Sequence, residues 1–506
     1  MATPKQRRWS KSEGEKYPML TRTTQFAWVA FVLVVVAVCR APTGQQFLGA
    51  LLSAFVFAAV LSWLPRCRPL VKTPLCPWNW ALFLFSIQLI GMPLLITLDE
   101  PTLGVLPSLP SPFAIDMAMV LYCIAFLTVC AVYNHFAKFR MTDAAWLDRL
   151  RNAPDTRSAG SATRLGLFAL VGITGVLLTF GNIAGILSYF NNPRYYRDYF
   201  LEASSTWRGL AALLLKPFLG FAIVMAWCRW IDSGGMKSSW MRRGLVTIIV
   251  LAGVVISFSM FSYNRGSFAV PLVAVATVAL VKGDKFSWRI MAVAGVLILV
   301  LTPVWALYRS GAELGEDFLS RTSLPDSLRE HINISEVAQM YGGAPQYLGF
   351  LLERSHWGRD PHWGVMTVSS ILSPVPMLGT PFRRNSGFGV FNRMIYGTDA
   401  ILDQNVPFQG ESFLDFHVVG ILFGSAMFGW VLHRLQRAFE RSRSSIEIYI
   451  WQYLSVWTCF LIFGFGSIGV QSQVMIYYCW PIYAFWCAAK KWRLPIRLQS
   501  TTNQRA

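Results

Sequence analysis

Apolar runs of membrane length recur through almost the whole of this 506-residue chain, and they leave few folds open to it. A helix of about 20 mostly apolar residues crosses a hydrocarbon core of about 30 Å. In that solvent every backbone N–H and C=O must be satisfied inside the protein, which a helix does by itself. The predicted fold is therefore all-α: a polytopic integral membrane protein with about twelve transmembrane helices. The spans fall near 25–39, 47–64, 78–97, 113–134, 165–188, 209–230, 244–262, 268–281, 289–307, 413–432, 447–466 and 473–488. Composition agrees. Only 14% of the residues are charged, against roughly a quarter in a soluble chain, and mean hydropathy is +0.44.

The net charge of +19 invites a nucleic-acid reading, but its distribution follows membrane topology instead, since Lys and Arg gather on cytoplasmic loops. With the basic N-terminus KQRRWSKSEGEK placed inside, alternate loops read RCRPLVK, HFAKFRMTDAAWLDRLR, MKSSWMRR, KGDKFSWR and HRLQRAFERSR, and the tail reads KKWRLPIR. Every inside loop is basic, so both termini are expected to be cytoplasmic and no nucleic-acid partner is implied. No cleavable leader is expected, because the first apolar run lacks a small-residue cleavage pattern after it. The nine cysteines show no C-x-x-C spacing, which argues against a disulfide framework or a zinc site.

This count divides the chain into a membrane domain at 1–307, a long external and partly helical segment at 308–412, and a second membrane part at 413–506 with a basic tail. A segment of that length is too long for a passive connector. It carries eight Arg, eleven Asp or Glu, three His and no Lys, and the external loop 191–208 likewise holds three Arg and no Lys. Arginine keeps its charge and offers a planar fork that holds phosphate oxygens bidentately. Positive charge kept on the outer face only as guanidinium points to a phosphate-bearing or acidic ligand. The alternative is pairing with carboxylates of the same segment. That alternative is weakest for Arg265, whose turn YNRGSF (263–268) contains no acid and is too short to fold alone.

Lys216, in LLLKPFLGF, lies about two turns inside a span. A charge at that depth costs several kcal/mol unless it snorkels, pairs or faces a polar cavity. Candidate proton acceptors cluster late in the chain. His356 and His362 flank Arg359 in ERSHWGRDPHWG, beside two tryptophans able to stack on sugar rings, and Glu411 and Asp415 lie in QGESFLDFHVVG with His417. Any of these can act as base toward a hydroxyl within hydrogen-bond reach; structural hydrogen bonding is the alternative for each. No Walker A sequence, H-E-x-x-H or G-x-S-x-G is present, which removes ATP hydrolysis, zinc proteolysis and serine hydrolysis from consideration. No cofactor is required by these residues. Asp399, Asp403 and Glu411 leave a metal open.

Four elements then occur in a telling order: NRGSF (264–268), SPVPMLGTPF (373–382), GFGVFNRMIYG (387–397) and GESFLDFHVVG (410–420). In these the chain resembles the bacterial oligosaccharide repeat unit polymerases, the Wzy-type O-antigen polymerase family. The resemblance implies a lipid-linked-donor glycosyltransferase of GT-C-like plan in the bacterial inner membrane, with segment 308–412 periplasmic. It implies an undecaprenyl-diphosphate-linked oligosaccharide as substrate, membrane lipid around it, and a chain-length regulator and a flippase as partners. The family's functional arginines lie in external loops; the matching position is Arg265, with Arg194 and Arg197 of the preceding external loop as its partners. Together with Lys216 and Arg359 these form the expected diphosphate-binding set, and His356, His362, Glu411 and Asp415 join Arg265 as catalytic candidates. The R-x(10)-G pattern of some members is not kept, since Ser205 and Arg208 stand eleven positions after Arg194 and Arg197. Competing readings are a flippase for lipid-linked sugars, an O-antigen ligase and a non-enzymatic scaffold.

Overall fold

The computed structural model describes residues 18–40, 47–64, 67–69, 75–98, 106–137, 162–191, 207–235, 239–259, 266–282, 343–376, 378–398, 406–462 and 466–491. No strand occurs among them. The helices are, in order, α1 (Pro18–Arg40), α2 (Leu48–Trp63), α3 (Pro77–Leu98, with a π-helical turn at Ile87–Gly91), α4 (Pro112–Phe136), α5 (Ala162–Phe180), α6 (Ile183–Asn191), α7 (Trp207–Leu215), α8 (Pro217–Asp232) and α9 (Trp240–Ser259). They continue with α10 (Gly266–Lys282), α11 (Ala344–Arg354), α12 (Val365–Leu372), α13 (Thr380–Arg383), α14 (Gly387–Tyr396), α15 (Phe408–Glu440), α16 (Ser445–Cys459), α17 (Ile468–Tyr477) and α18 (Trp480–Lys491).

Five described stretches are long and apolar enough to cross a membrane: Pro77–Leu98, Pro112–Phe136, Ala162–Phe180, Gly209–Asp232 and Phe408–Glu440. Shorter apolar helices lie at Thr24–Arg40, Leu48–Trp63 and Ala269–Lys282. By length and composition this is a helical membrane protein; the predicted span at 289–307 lies outside the described residues.

The helices pack through small residues, as expected where lipid and leucine are equally apolar and close backbone approach supplies the attraction. Gly172 and Gly175 of α5 let it lie directly on the backbone of Leu219, Leu215 and Lys216, where α7 gives way to α8. Pro217 opens α8 at that junction, so the predicted span at 209–230 is one path made of two helices.

The main departure from prediction is α15. Its composition suits a single 33-residue rod, yet Phe416 (φ −143°, ψ 23°) and His417 (φ 54°, ψ −144°) are not helical. A Cβ on Gly420 would strike the carbonyl of Ser412, and one on Gly424 would lie 2.8 Å from Phe408 and 2.9 Å from the Ser412 hydroxyl. In a straight helix, residues 408 and 424 are about 24 Å apart at 1.5 Å per residue. The helix therefore folds back at 416–417 into a hairpin, with Gly420 and Gly424 forming the seam. The first arm, 408–415, is enclosed, with Gln409 through Asp415 all buried. Phe408 and Gln409 share a small cavity with Phe85, Ala125, Val129, Ser425, Phe428, Leu461 and Ile462, so the arm reaches well down the bundle. The second arm, from 418 to 440, is about 34 Å long and packs on α4, with Gly429 against Val129. The predicted span at 413–432 thus mixes the end of one arm with most of the other.

Two ends of the bundle can now be told apart. The loop end holds the 416–417 turn, α11, α12 and the start of α4. The opposite, basic end holds the last turn of α8, Lys282 of α10 and the start of α16, where Asp232 accepts from Ser445 N (3.1 Å) and Ser445 Oγ (2.5 Å) and pairs with Lys282 (3.3 Å).

Candidate functional site

The loop ERSHWGRDPHWG contains the triplet His-Trp-Gly twice, at 356–358 and 362–364. Both copies bend the backbone into the left-handed region: His356 (φ 46°), Trp357 (60°) and Gly358 (78°) in the first, Trp363 (50°) and Gly364 (84°) in the second. Such conformations cost of order 1–3 kcal/mol at non-glycine residues and persist only where the surroundings enforce them. With His417, these three are the non-glycine residues of positive φ among the described residues.

What enforces them is the top of the α15 hairpin. The amides of His362 and Trp363 donate to the carbonyls of Leu414 (2.9 Å) and Asp415 (3.1 Å), which end the first arm. The Asp415 side chain then caps α12 from outside. It accepts from Gly364 N (3.1 Å), Met366 N (3.2 Å), Thr367 N (2.7 Å) and Thr367 Oγ1 (2.5 Å). The N-cap residue of α12 is a glycine without a side-chain cap, so a distant carboxylate satisfies the free N–H groups and the positive end of the helix dipole. The two glycines lie under the rings of the hairpin turn: a Cβ on Gly358 would meet His417 Nδ1 at 2.5 Å, and one on Gly364 would meet Phe416 at 3.0 Å.

One turn earlier, Glu411 ties three segments together. Its Oε1 accepts from Ser370 of α12 (2.8 Å), and its Oε2 accepts from Ile468 N at the start of α17 (2.6 Å). Ser370 Oγ in turn accepts from Gly387 N at the start of α14 (2.9 Å). Gly387 lies so close to the Glu411 carboxylate that any side chain there would displace it. Glu353, the last acid of α11, completes the frame by accepting from both the amide (3.0 Å) and the hydroxyl of Ser111, the N-cap of α4.

The predicted site residues separate into three groups. Glu411 and Asp415 are fully buried, and both carboxylates are engaged in holding other segments. His356 and Arg359 are exposed and His362 is half-buried, all on the one loop that those carboxylates fix. Lys216 stands elsewhere, wholly buried at the α7–α8 junction against α5; it does not snorkel to solvent. Arg194, Arg197 and Arg265 lie outside the described residues, Arg265 immediately before α10, and so do Asp399 and Asp403. Among the described residues no group of three or more His, Cys, Asp or Glu is placed to hold a metal ion.

Several parts of the site were not singled out from sequence: Thr367, Ser370, Gly387, and the two glycines of the repeated triplet. The repeat itself was the available signal, together with the i, i+4 spacing of Glu411 and Asp415, which puts both on one helix face. No family model, curated protein or solved structure matches the chain.

Proposed function

We propose that this protein is a glycosyltransferase of the bacterial inner membrane that polymerises polyprenyl-diphosphate-linked oligosaccharide units at the periplasmic face, with twelve spans and both termini cytoplasmic. The observation that carries the reading is the convergence of separate motif elements. GFGVFNRMIYG forms α14, opened by Ser386 as N-cap and closed by left-handed Gly397. GESFLDFHVVG forms the hairpin, and Glu411 joins the two through Ser370 and Gly387. Sequence elements that share a family pattern thus also share one hydrogen-bonded frame.

In this reading the acceptor hydroxyl attacks the anomeric carbon, the sugar–diphosphate bond breaks, and the hydroxyl proton passes to an imidazole. His356 or His362 takes that role, because both reach the surface. Glu411 and Asp415 act as positioning residues. Negative charge grows on the departing diphosphate, so fixed cations lower the barrier; Arg265, Arg194, Arg197 and Arg359 supply them, with Lys216 as a buried contributor.

Glycan analysis of a deletion strain tests the class. A one-unit product on the final acceptor in place of a long ladder is expected; units stranded on the cytoplasmic side would indicate a flippase, and undiminished polymer left on its lipid would indicate a ligase. Arg265→Ala is expected to abolish the ladder while the protein inserts normally. Long polymer from a well-folded Arg265→Ala protein would remove the diphosphate clamp from the scheme.

A further inference from the structure

Helix α12 has its polarity reversed. Ser369 and Ser370 are buried, whereas Val365 (53% exposed), Val368 (53%) and Ile371 (46%) face outward at three-residue spacing. Trp363, just before the helix, is 74% exposed. A water-facing helix would show the opposite arrangement. The inversion is not an accident of loose packing, because Thr367 and Ser370 are drawn inward by Asp415 and Glu411.

This apolar face is not isolated. Trp363 meets Phe416 edge to face at 6.5 Å between ring centroids. From Phe416 an exposed apolar strip continues down the second arm of α15 through Val419 and Phe423, the face that a membrane-spanning helix turns to lipid. The other triplet behaves likewise, with Trp357 against exposed Phe113 at the top of α4 (5.5 Å). Arg354 and Arg359, on either side of this triplet in the chain, are exposed, as is Arg383 of α13, which packs on α12. Tryptophans between an apolar strip and a rim of arginines are the arrangement found where a protein crosses from acyl chains to headgroups.

We infer that α12 and the two His-Trp-Gly turns form a wedge lying in the bilayer interface, with Trp363, Val365, Val368 and Ile371 among acyl chains and the arginine rim among lipid phosphates. Eight residues are too few to cross, so the helix lies along the surface and is latched from its protein side by Asp415 and Glu411. The wedge does not depend on which substrate the site handles.

The test uses the full-length protein in nanodiscs whose lipids carry a diazirine on the acyl chain, with adducts mapped by mass spectrometry after illumination. Adducts on 363–371 are expected at a yield of the same order as those on 418–423 of the second arm, which serves as the internal standard. Labelling of 418–423 without 363–371 overturns the wedge. Independently, a nitroxide on Val368→Cys, in a protein whose two exposed cysteines Cys39 and Cys487 are changed to Ser, is expected to collide with oxygen in preference to a water-soluble nickel chelate. The reverse preference overturns it. So does shielding from both reagents, which means that another protein surface, such as a second copy, covers the face.

Discussion

The two ends of the bundle solve the same problem with different chemistry. At the basic end, Asp232 receives an amide and a hydroxyl from Ser445 and adds an ion pair to Lys282. At the loop end, Asp415 receives an amide and a hydroxyl from Thr367, and its remaining partners are two further backbone amides. One end balances a carboxylate with a cation; the other uses only neutral donors, three peptide amides and one hydroxyl. A carboxylate neutralised by dipoles leaves nearby guanidinium groups available for something else. Arg359 stands exposed on the very loop that Asp415 fixes. At the loop end the fold-holding carboxylate and the exposed cation are thus separate groups, whereas at the basic end carboxylate and cation are paired with each other.

Substitutions can break this comparison, beginning with the largest expected effect. Asp415→Asn replaces an acceptor by a donor facing Thr367 and weakens several charge-assisted bonds at once, a cost of about 3 kcal/mol. Thermal unfolding in nanodiscs should fall accordingly, and limited proteolysis should open first between 355 and 364. Unchanged protection of that loop would show that the cap is dispensable. Asp232→Asn keeps an acceptor for one of the two Ser445 donors and loses the contact with Lys282, which is still 12% exposed, a cost of roughly 2 kcal/mol on the scale of one hydrogen bond to a charged group. Its proteolytic pattern around 355–364 should not change. A cost at 232 equal to or above that at 415 would remove the distinction between the two ends. The hydroxyls sharpen the parallel: Thr367→Val and Ser445→Ala each delete one hydrogen bond and should cost about 1 kcal/mol apiece. Because the two sites are far apart, the double variant should show the sum.

Much of the helical frame was legible because hydropathy reports transfer from water, and transfer decides where spans lie. The structure places α2, α3, α4 and α10 within a few residues of the predicted spans at 47–64, 78–97, 113–134 and 268–281. Hydropathy carries no direction, however. The hairpin in α15 therefore read as a single span starting at 413, with Glu411 as part of the approach to it. Its acids read as candidate bases with structural hydrogen bonding as the alternative; both are buried and accept from helix starts. The seam that folds the helix back was visible as Gly420 and Gly424 four residues apart; only their contacts with Ser412 and Phe408 give it meaning. The glycines of the His-Trp-Gly repeat are ordinary turn residues, whereas positive φ at Trp357 and Trp363 could not be read from residues that ordinarily avoid it.

The hairpin also bears on how side-of-membrane assignments should be counted. Its first arm ends at the same face from which the second arm begins, so the arm adds a helix to the bundle without moving the chain to the other compartment. Crossing parity is indifferent to it. A reporter fused just beyond Glu440 will give the same sidedness whether or not residues 408–415 are seated. A topology map that agrees with the predicted span count therefore says nothing about whether the carboxylates at 411 and 415 have found their helices.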